Sequence, residues 1–187
     1  MRERIAQLAA RMIAEDGVTD FALAKRKAAR QLGVQDGQSV PNNREIEQAL
    51  KAHQSLFDAQ GHGQRLRQMR EEALRVMEVF GEFQPYLTGS VLTGTAGRYA
   101  SIELVLFTDA AKDLELFLIN HAIPFEAVER RISRGGETRA IPAYRLLSAH
   151  PVTLTVRDCA AQRNARADAE LADRAALRVL LEQSTES

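Results

Sequence analysis

Residues 89–107 read GSVLTGTAGRYASIELVLF, a glycine-serine turn followed by a loop and then by an apolar run typical of a strand. Backbone amides exposed at such a turn, together with the hydroxyl of Ser90, are donors for a phosphate group, and glycine at position 89 permits its close approach. Because side chains alternate between the two faces of a strand, Ser101 and Glu103 share one face. The stretch therefore predicts a phosphate-binding turn followed by a strand that presents residues 101 and 103 together.

The sequence after Gly81 predicts a sheet, because short apolar runs alternate there with turn signals. A helix covering residues 113–120 is expected to begin at Thr108 or Asp109, and the last three strands are expected to form an antiparallel meander. From Cys159 to about residue 183, an alanine- and arginine-rich run predicts a single closing helix. The predicted strands cover residues 84–87, 102–107, 125–132, 139–147 and 152–157.

The first eighty residues predict four helices, since apolar residues recur there at helical spacing. Gly17 and Gly33 end the first two, and a break at residues 61–63 separates the third from the fourth. The expected organisation is a helical region over residues 1–81 and a second domain over residues 82–187. The fold class is α/β (α+β), with a mixed, largely antiparallel sheet and flanking helices.

The composition is that of a globular protein, with 187 residues, 45% hydrophobic and 27% charged, and 25 acidic against 25 basic side chains. No apolar run suggests export or a membrane, and the single cysteine, Cys159, fits a reducing compartment, so we expect a cytoplasmic protein. The zero net charge gives no indication of nucleic-acid binding, and Lys25-Arg26-Lys27 is interpreted as the solvated face of a helix.

The order of these elements and the residues at the turn resemble the nucleotidyltransferase superfamily, which has the DNA polymerase β-like fold. Its signature is a Gly-Ser turn, a strand with two acids separated by one apolar residue, and a third acid on a later strand. Gly89 and Ser90 match the turn, Gly94 matches a glycine that often follows it, and residues 101–104 stand where Asp-apolar-Asp-apolar is expected. The resemblance covers residues 84–158.

The resemblance implies a nucleoside triphosphate bound with Mg²⁺, where acids hold two metal ions that bridge the triphosphate and activate the attacking hydroxyl. Glu103 stands at the second acid, but Ser101 replaces the first, and Thr153 or Thr155 occupies the position of the third. Two divalent ions need several carboxylates to offset their mutual repulsion. We therefore expect a nucleotide-binding protein whose transferase activity is weakened or lost.

The site expected from this resemblance has three parts. Its catalytic positions are Glu103 and the degenerate Ser101, its phosphate contacts are Gly89, Ser90 and Arg98, and its metal ligands are Glu103 and, as a further candidate, Asp158.

Other hypotheses stay open at this point. The chain is an active nucleotidyltransferase if Glu103 works with an unconventional second acid such as Asp158. It is an interaction scaffold without nucleotide if the amino-terminal helices bind a protein partner or a second copy of the chain. Arginines flank Gly135-Gly136 at a hairpin tip, and we interpret them as keeping an edge strand soluble, because no aromatic residues interleave with them for base stacking. They are Arg130, Arg131, Arg134 and Arg139.

Overall fold

The structure is a computed structural model that describes residues 1–18, 20–34, 40–57, 59–134, 137–148, 150–165 and 170–183. These residues form helices and one mixed sheet, which confirms the α+β class. The helices are α1 (Arg2–Glu15), α2 (Phe21–Gln31), α3 (Asn43–Phe57), α4 (Ala59–Val79), α5 (Gly89–Thr93), α6 (Ala111–Asn120), α7 (Cys159–Ala165) and α8 (Arg174–Gln183). The strands are β1 (Tyr86–Thr88), β2 (Ile102–Phe107), β3 (Phe125–Arg134), β4 (Glu137–Leu146) and β5 (Val152–Arg157), and a 3₁₀ turn, Gly81–Phe83, precedes β1.

The chain divides into two compact units, a helical unit of residues 1–66 with 94–100 and a sheet unit of residues 67–93 with 101–187. The predicted boundary at residue 81 differs from this division. Residues 67–79 of α4 belong to the sheet unit, and directly after them the Phe80 ring lies 5.3 Å from the Phe117 ring of α6.

The helical unit has a core of small and branched apolar side chains from α1, α2 and α3. The N-terminus of α3 is a capping box, in which Asn42 Oδ1 accepts from the Glu45 amide at 2.9 Å and Glu45 Oε2 accepts from the Asn42 amide at 2.6 Å. The Asp20 carboxylate caps α2 by accepting from the backbone amides of Ala22 and Leu23. The fully buried core residues are Ile5, Ala9, Ala10, Ala24, Ala28, Ile46 and Leu50.

The predicted helix break at residues 61–63 is wrong, because α4 begins at Ala59 and runs through both glycines. A glycine inside a helix costs about 1 kcal/mol relative to alanine, which tertiary contacts can offset. One such contact is visible within the helical unit, where His62 Nε2 lies 3.0 Å from the carbonyl oxygen of Gly94.

The sheet has the strand order β1-β2-β5-β4-β3. β2 and β5 are parallel, β1 is antiparallel to β2, and β3, β4 and β5 form the expected antiparallel meander. On one face of β2, Ile102, Leu104 and Leu106 are fully buried. On the opposite face, Val105 and Phe107 pack with Tyr86 of β1, so only the first part of that face, at Glu103, remains polar.

The single closing helix predicted for residues 159–183 is wrong, since α7 and α8 are separate helices. Between them, Ala172 pairs with Leu87 of β1 through hydrogen bonds of 2.8 and 2.9 Å. This short extended segment covers the outer edge of β1, a requirement that helical propensity alone does not reveal.

Helix α6 begins at Ala111, two or three residues later than predicted. The hydroxyl of Thr108 accepts from the Ala110 amide, and Asp109 caps α7 instead, accepting from the Cys159 amide at 2.9 Å. Among the described helices, none is both long and apolar enough to cross a bilayer.

Candidate functional site

The glycine-serine turn and Glu103 are in contact in the folded sheet unit. Gly89 follows β1 and begins α5 with φ +71°, a left-handed conformation that favours glycine. A β-carbon at this position would lie 3.2 Å from Cδ of Glu103 and 3.3 Å from its Oε2. Glycine at position 89 therefore both forms the turn and leaves room for the carboxylate beside it.

Strand register extends this contact into a polar row across the sheet. Glu103 of β2 is paired with Thr88 on β1 and with Thr153 on β5. Ser101 is half-buried and directly precedes β2, while the Thr88 hydroxyl donates to the carbonyl of Glu170 at 2.8 Å. The structure thus brings Gly89, Glu103 and Thr153 together through the register of β2 with β5 and the close approach of the turn.

The Glu103 carboxylate is bound by Arg130 of β3, whose Nη2 lies 2.7 Å from Oε2. The Glu103 side chain is 26% exposed and the Arg130 side chain 42% exposed, so the pair stays in contact with solvent and contributes on the order of 1 kcal/mol. The interpretation of Arg130 as a solubilising residue missed this contact. No spacing in the sequence indicates it, because it depends on where the β3–β4 hairpin lies.

The residues at the turn do not fit a two-magnesium centre. Glu103 is flanked in its row by two threonines and already holds a guanidinium. Across the described ranges, no group of three or more His, Cys, Asp or Glu side chains is arranged to hold a metal ion. Two closely spaced divalent ions would meet one carboxylate and two hydroxyls, which leaves their repulsion largely uncompensated.

Asp158 lies at the other end of the strand from Glu103. The parallel pairing of β2 with β5 runs from Ile102 opposite Val152 to Phe107 opposite Arg157, and Asp158 follows the last pair. Five residues of strand separate it from Thr153, about 16 Å at roughly 3.3 Å per residue. The structure therefore does not bring this aspartate to Glu103; its carbonyl accepts from the Ala161 amide at the start of α7.

Thr155, the other threonine considered for the third acid position, is 2% exposed on the same face of β5. Its hydroxyl is buried and has no hydrogen-bond partner among the described residues. An unpaired buried hydroxyl costs about 1–3 kcal/mol. This face of β5 is therefore polar without being charged at both threonines.

A buried arginine of α4 donates hydrogen bonds to the helix α5 that begins at the glycine-serine turn. Arg70 of α4 is 7% exposed, and its Nε and Nη2 donate to the carbonyl oxygens of Val91 and Leu92 at 3.1 and 3.2 Å. Desolvation lowers the pKa of this guanidinium. Because α5 is short, these bonds to its last carbonyls hold the turn in place, a role that the sequence analysis did not assign.

Arg98, predicted to contact phosphate, belongs to the helical unit. It lies in the loop of residues 94–100, is exposed, and borders a cavity lined by α1, α3 and α4. Gly89, Ser90, Ser101 and Glu103 all belong to the sheet unit.

The chain matches no protein-family model and no curated protein. It is similar to the solved structure of the Cid1 poly(U) polymerase with bound MgGTP, with a TM-score of 0.35 and 15% identity over 50% of this chain and 32% of that one. The structure of the GLD-2/RNP-8 complex matches with a TM-score of 0.34 and 21% identity, over 56% of this chain and 44% of that one. A cytoplasmic RNA terminal U-transferase matches with a TM-score of 0.28 and 15% identity, over 62% of this chain and 30% of that one. The chain spans less than half the length of each of these structures.

Proposed function

We propose that the sheet unit is a degenerate nucleotidyltransferase, which binds the phosphates of a nucleoside triphosphate at the Gly89-Ser90 turn and transfers the nucleotide weakly or not at all. One observation carries this proposal. The single carboxylate at the turn, Glu103, is held by Arg130 at 2.7 Å, and threonines flank it on both neighbouring strands.

Three features support the binding half of the proposal. Gly89, in the left-handed conformation, begins α5. The first backbone amides of a helix have no acceptor within that helix, and Ser90 adds a hydroxyl donor beside them. Arg130 places a guanidinium beside Glu103, which offsets the negative charge that would otherwise repel a phosphate. Arg70 holds the turn in one conformation before a ligand arrives.

The loss of transfer follows from the missing acids. When two metal ions assist in-line attack on a phosphorus atom, carboxylates must hold both ions. Removal of one preorganised group that stabilises the transition-state charge typically lowers the rate about 10²–10³-fold. Here two such positions carry Ser101 and Thr153. Mg²⁺ would enter with the nucleotide, and Glu103 would meet it only in exchange for Arg130.

Thermal unfolding tests the binding half, because a ligand of the folded state raises the melting temperature. We expect ATP, CTP, GTP or UTP at millimolar concentration to raise it, and Ser90→Ala to reduce the shift at least twofold. Ser55→Ala, which removes an exposed serine of α3, is the matched control and keeps the full shift. No shift with any of the four nucleotides, with or without Mg²⁺, would refute the proposal and favour the scaffold hypothesis.

Label transfer from α-labelled triphosphates tests the other half. The unaltered protein is expected to incorporate no label above a protein-free blank. Incorporation that Glu103→Gln abolishes would show an active enzyme instead.

A gain of metal binding is expected when the second acid is restored. Ser101→Asp combined with Arg130→Gln creates two carboxylates on one face and frees Glu103, so Mg²⁺ should strengthen nucleotide binding about tenfold. The control, Ser101→Asp with Arg145→Gln, removes an arginine that pairs with Glu126 at 2.9 Å and leaves Arg130 in place. Equal Mg²⁺ dependence in the two double variants, measured by calorimetry, would contradict the role assigned to Arg130.

A further inference from the structure

Helix α2 of the helical unit presents a basic outer face. The helix packs into the unit through its small residues, and its sequence contains no acid. Three of its basic side chains, Arg26, Lys27 and Arg30, are exposed. Because residues three and four positions apart are neighbours on a helix, these side chains share one face, which we call the α2 basic face. The buried residues of α2 are Ala24, Ala28 and Ala29.

The charges of the α2 basic face are not compensated within the protein. Arg30 lies four residues after Arg26 and three after Lys27, spacings at which like charges destabilise a helix. Within the described ranges, none of these three side chains has a hydrogen bond or an ion pair. The fourth basic residue, Lys25, is different, because its Nζ donates to Asn43 Oδ1 at 3.1 Å. We therefore count three free cations on this face.

Helix α1 shows how exposed arginines of the same unit are paired. Arg2 Nε lies 2.8 Å from Glu45 Oε1, and Arg11 Nε lies 3.1 Å from Glu15 Oε2. The acid that precedes α2, Asp20, instead accepts from two backbone amides at the first turn of the helix. The positive charge of the α2 basic face is thus available to a partner that carries repeated negative charge.

The residues of this face favour a double helix over other polyanions. Leu23 is the one large apolar side chain exposed on α2, at 36%, which is too little apolar surface for insertion into a bilayer. None of the exposed residues of α2 is aromatic, whereas proteins that bind single strands stack the bases on aromatic rings. In a double helix the bases are already stacked, so phosphate contacts alone can hold it.

The shape of a helix face favours DNA over RNA. An α-helix fits into the major groove of B-form DNA, which is about 12 Å wide. The major groove of A-form RNA is deep and too narrow for side chains to enter. In DNA, both edges of the α2 basic face can therefore approach phosphates, one on each strand.

We propose that the α2 basic face binds the phosphate backbone of double-stranded DNA without reading its sequence, with Arg26, Lys27 and Arg30 each on one phosphate. Guanidinium and ammonium groups form charge-assisted hydrogen bonds with phosphate oxygens, and such contacts carry no sequence information. The net charge of the chain is zero, so the binding depends on this local face. The site is independent of the proposed nucleotide site, because the Gly89-Ser90 turn belongs to the sheet unit.

Fluorescence anisotropy tests the proposal with a labelled DNA duplex of about 20 base pairs and mixed sequence. The duplex is titrated with the full chain at KCl concentrations from about 25 to about 200 mM. We expect the logarithm of the association constant to fall with the logarithm of the salt concentration with a slope of about −3, because each neutralised phosphate contributes roughly −0.9. A single strand of the same length and polyglutamate, used as competitors, should bind at least threefold more weakly.

Variants assign the binding to α2. Arg26→Gln should weaken duplex binding at least threefold at the lowest salt and reduce the slope to about −2, and Lys27→Gln should do the same. Arg11→Gln is the matched control, since it removes the same formal charge from an exposed arginine of α1 that is paired with Glu15. This control should keep the slope of about −3, and Ser90→Ala should keep it as well.

Four results would overturn the proposal. They are no duplex binding at the lowest salt, an unchanged slope in both α2 variants, an equal loss of binding in Arg11→Gln, and tighter binding of the single strand or of polyglutamate. Circular dichroism should show the same helix content in all variants, because the substituted side chains are exposed and glutamine is a good helix former.

Discussion

At the residue scale, the chemistry of the turn depends on which cation the Glu103 carboxylate holds. The side chain of Arg130 lies 2.7 Å from Oε2 of that carboxylate, so a metal ion placed at this oxygen would displace the guanidinium. Gly89 leaves no room between the turn and the carboxylate for a larger side chain. Under the proposed function, a phosphate and a metal ion would depend on the same few side chains, and the charge balance at this point would decide between them.

Tyr144 provides a residue-scale prediction about pH. Its hydroxyl donates to Glu115 Oε1 at 2.8 Å, and desolvation, followed by that hydrogen bond and the nearby charge, raises the pKa of Tyr144 to about 12. The folded state therefore favours the neutral phenol over an unfolded chain whose tyrosine pKa is about 10. This stabilisation is complete below about pH 10 and is lost as the pH rises towards 12.

The absorbance of tyrosinate is titrated against pH in the unaltered protein and in Tyr144→Phe, and the second curve is subtracted from the first. We expect the difference curve to have its midpoint near pH 12. In addition, the unaltered protein should lose more stability between pH 9 and pH 11 than Tyr144→Phe does, as measured by urea unfolding. A difference titration with its midpoint near pH 10 would contradict the buried, hydrogen-bonded environment of this phenol.

At the element scale, the later turns of α4 support the glycine-serine turn of the sheet unit. Arg70 makes this contact, through the carbonyls of Val91 and Leu92 at the end of α5. A five-residue helix has too few internal hydrogen bonds to be stable alone. Its position is thus set by tertiary contacts.

Replacing Arg70 with methionine should destabilise the protein by about 2–4 kcal/mol, because the carbonyls that accept from it lose charged hydrogen bonds in a buried setting. The matched control is Arg75→Met at an exposed position of the same helix, which should change stability by less than about 0.5 kcal/mol. Urea unfolding measures both. Equal effects of the two substitutions would show that the contact with α5 contributes little.

The sequence predicted most elements because their signals are local. Strand alternation located β2 and β5 to within a residue, and helical spacing located α1, α2 and α3. The errors fall where a distant contact overrides local propensity. Two glycines are accommodated inside α4, and the segment around Ala172 pairs with β1 instead of continuing the closing helix.

At the scale of the whole molecule, each of the two units is built from two separate segments of the chain. The loop of residues 94–100 is enclosed in sequence by the sheet unit and yet packs in the helical unit. Its contacts there include the hydrogen bonds from Gln54 and His62 and the close approach of Tyr99 to Gly17, where a β-carbon would lie 2.9 Å from the ring. The stability of the helical unit should therefore depend on this loop.

Replacing residues 94–100 with a seven-residue Gly-Ser segment should increase amide exchange about tenfold in α1 and α3, because the buried loop residues no longer cover them. Exchange in β2 and β5 should change little. The control replaces residues 121–124, which join α6 to β3, and should give the opposite pattern. Hydrogen exchange with mass spectrometry reads both, and a uniform increase after the first replacement would contradict the division into units.

The sequence by itself determined the class of fold, the glycine-serine turn and the shared face of residues 101 and 103. Backbone preference and side-chain alternation depend only on neighbours along the chain, so these features are readable without coordinates. The tertiary structure alone decided that Arg130 meets Glu103, that Asp158 stands at the opposite end of β5, and that Arg98 lines a cavity in the helical unit. These contacts join distant parts of the chain, and they depend on strand order, register and hairpin placement, which no local pattern encodes.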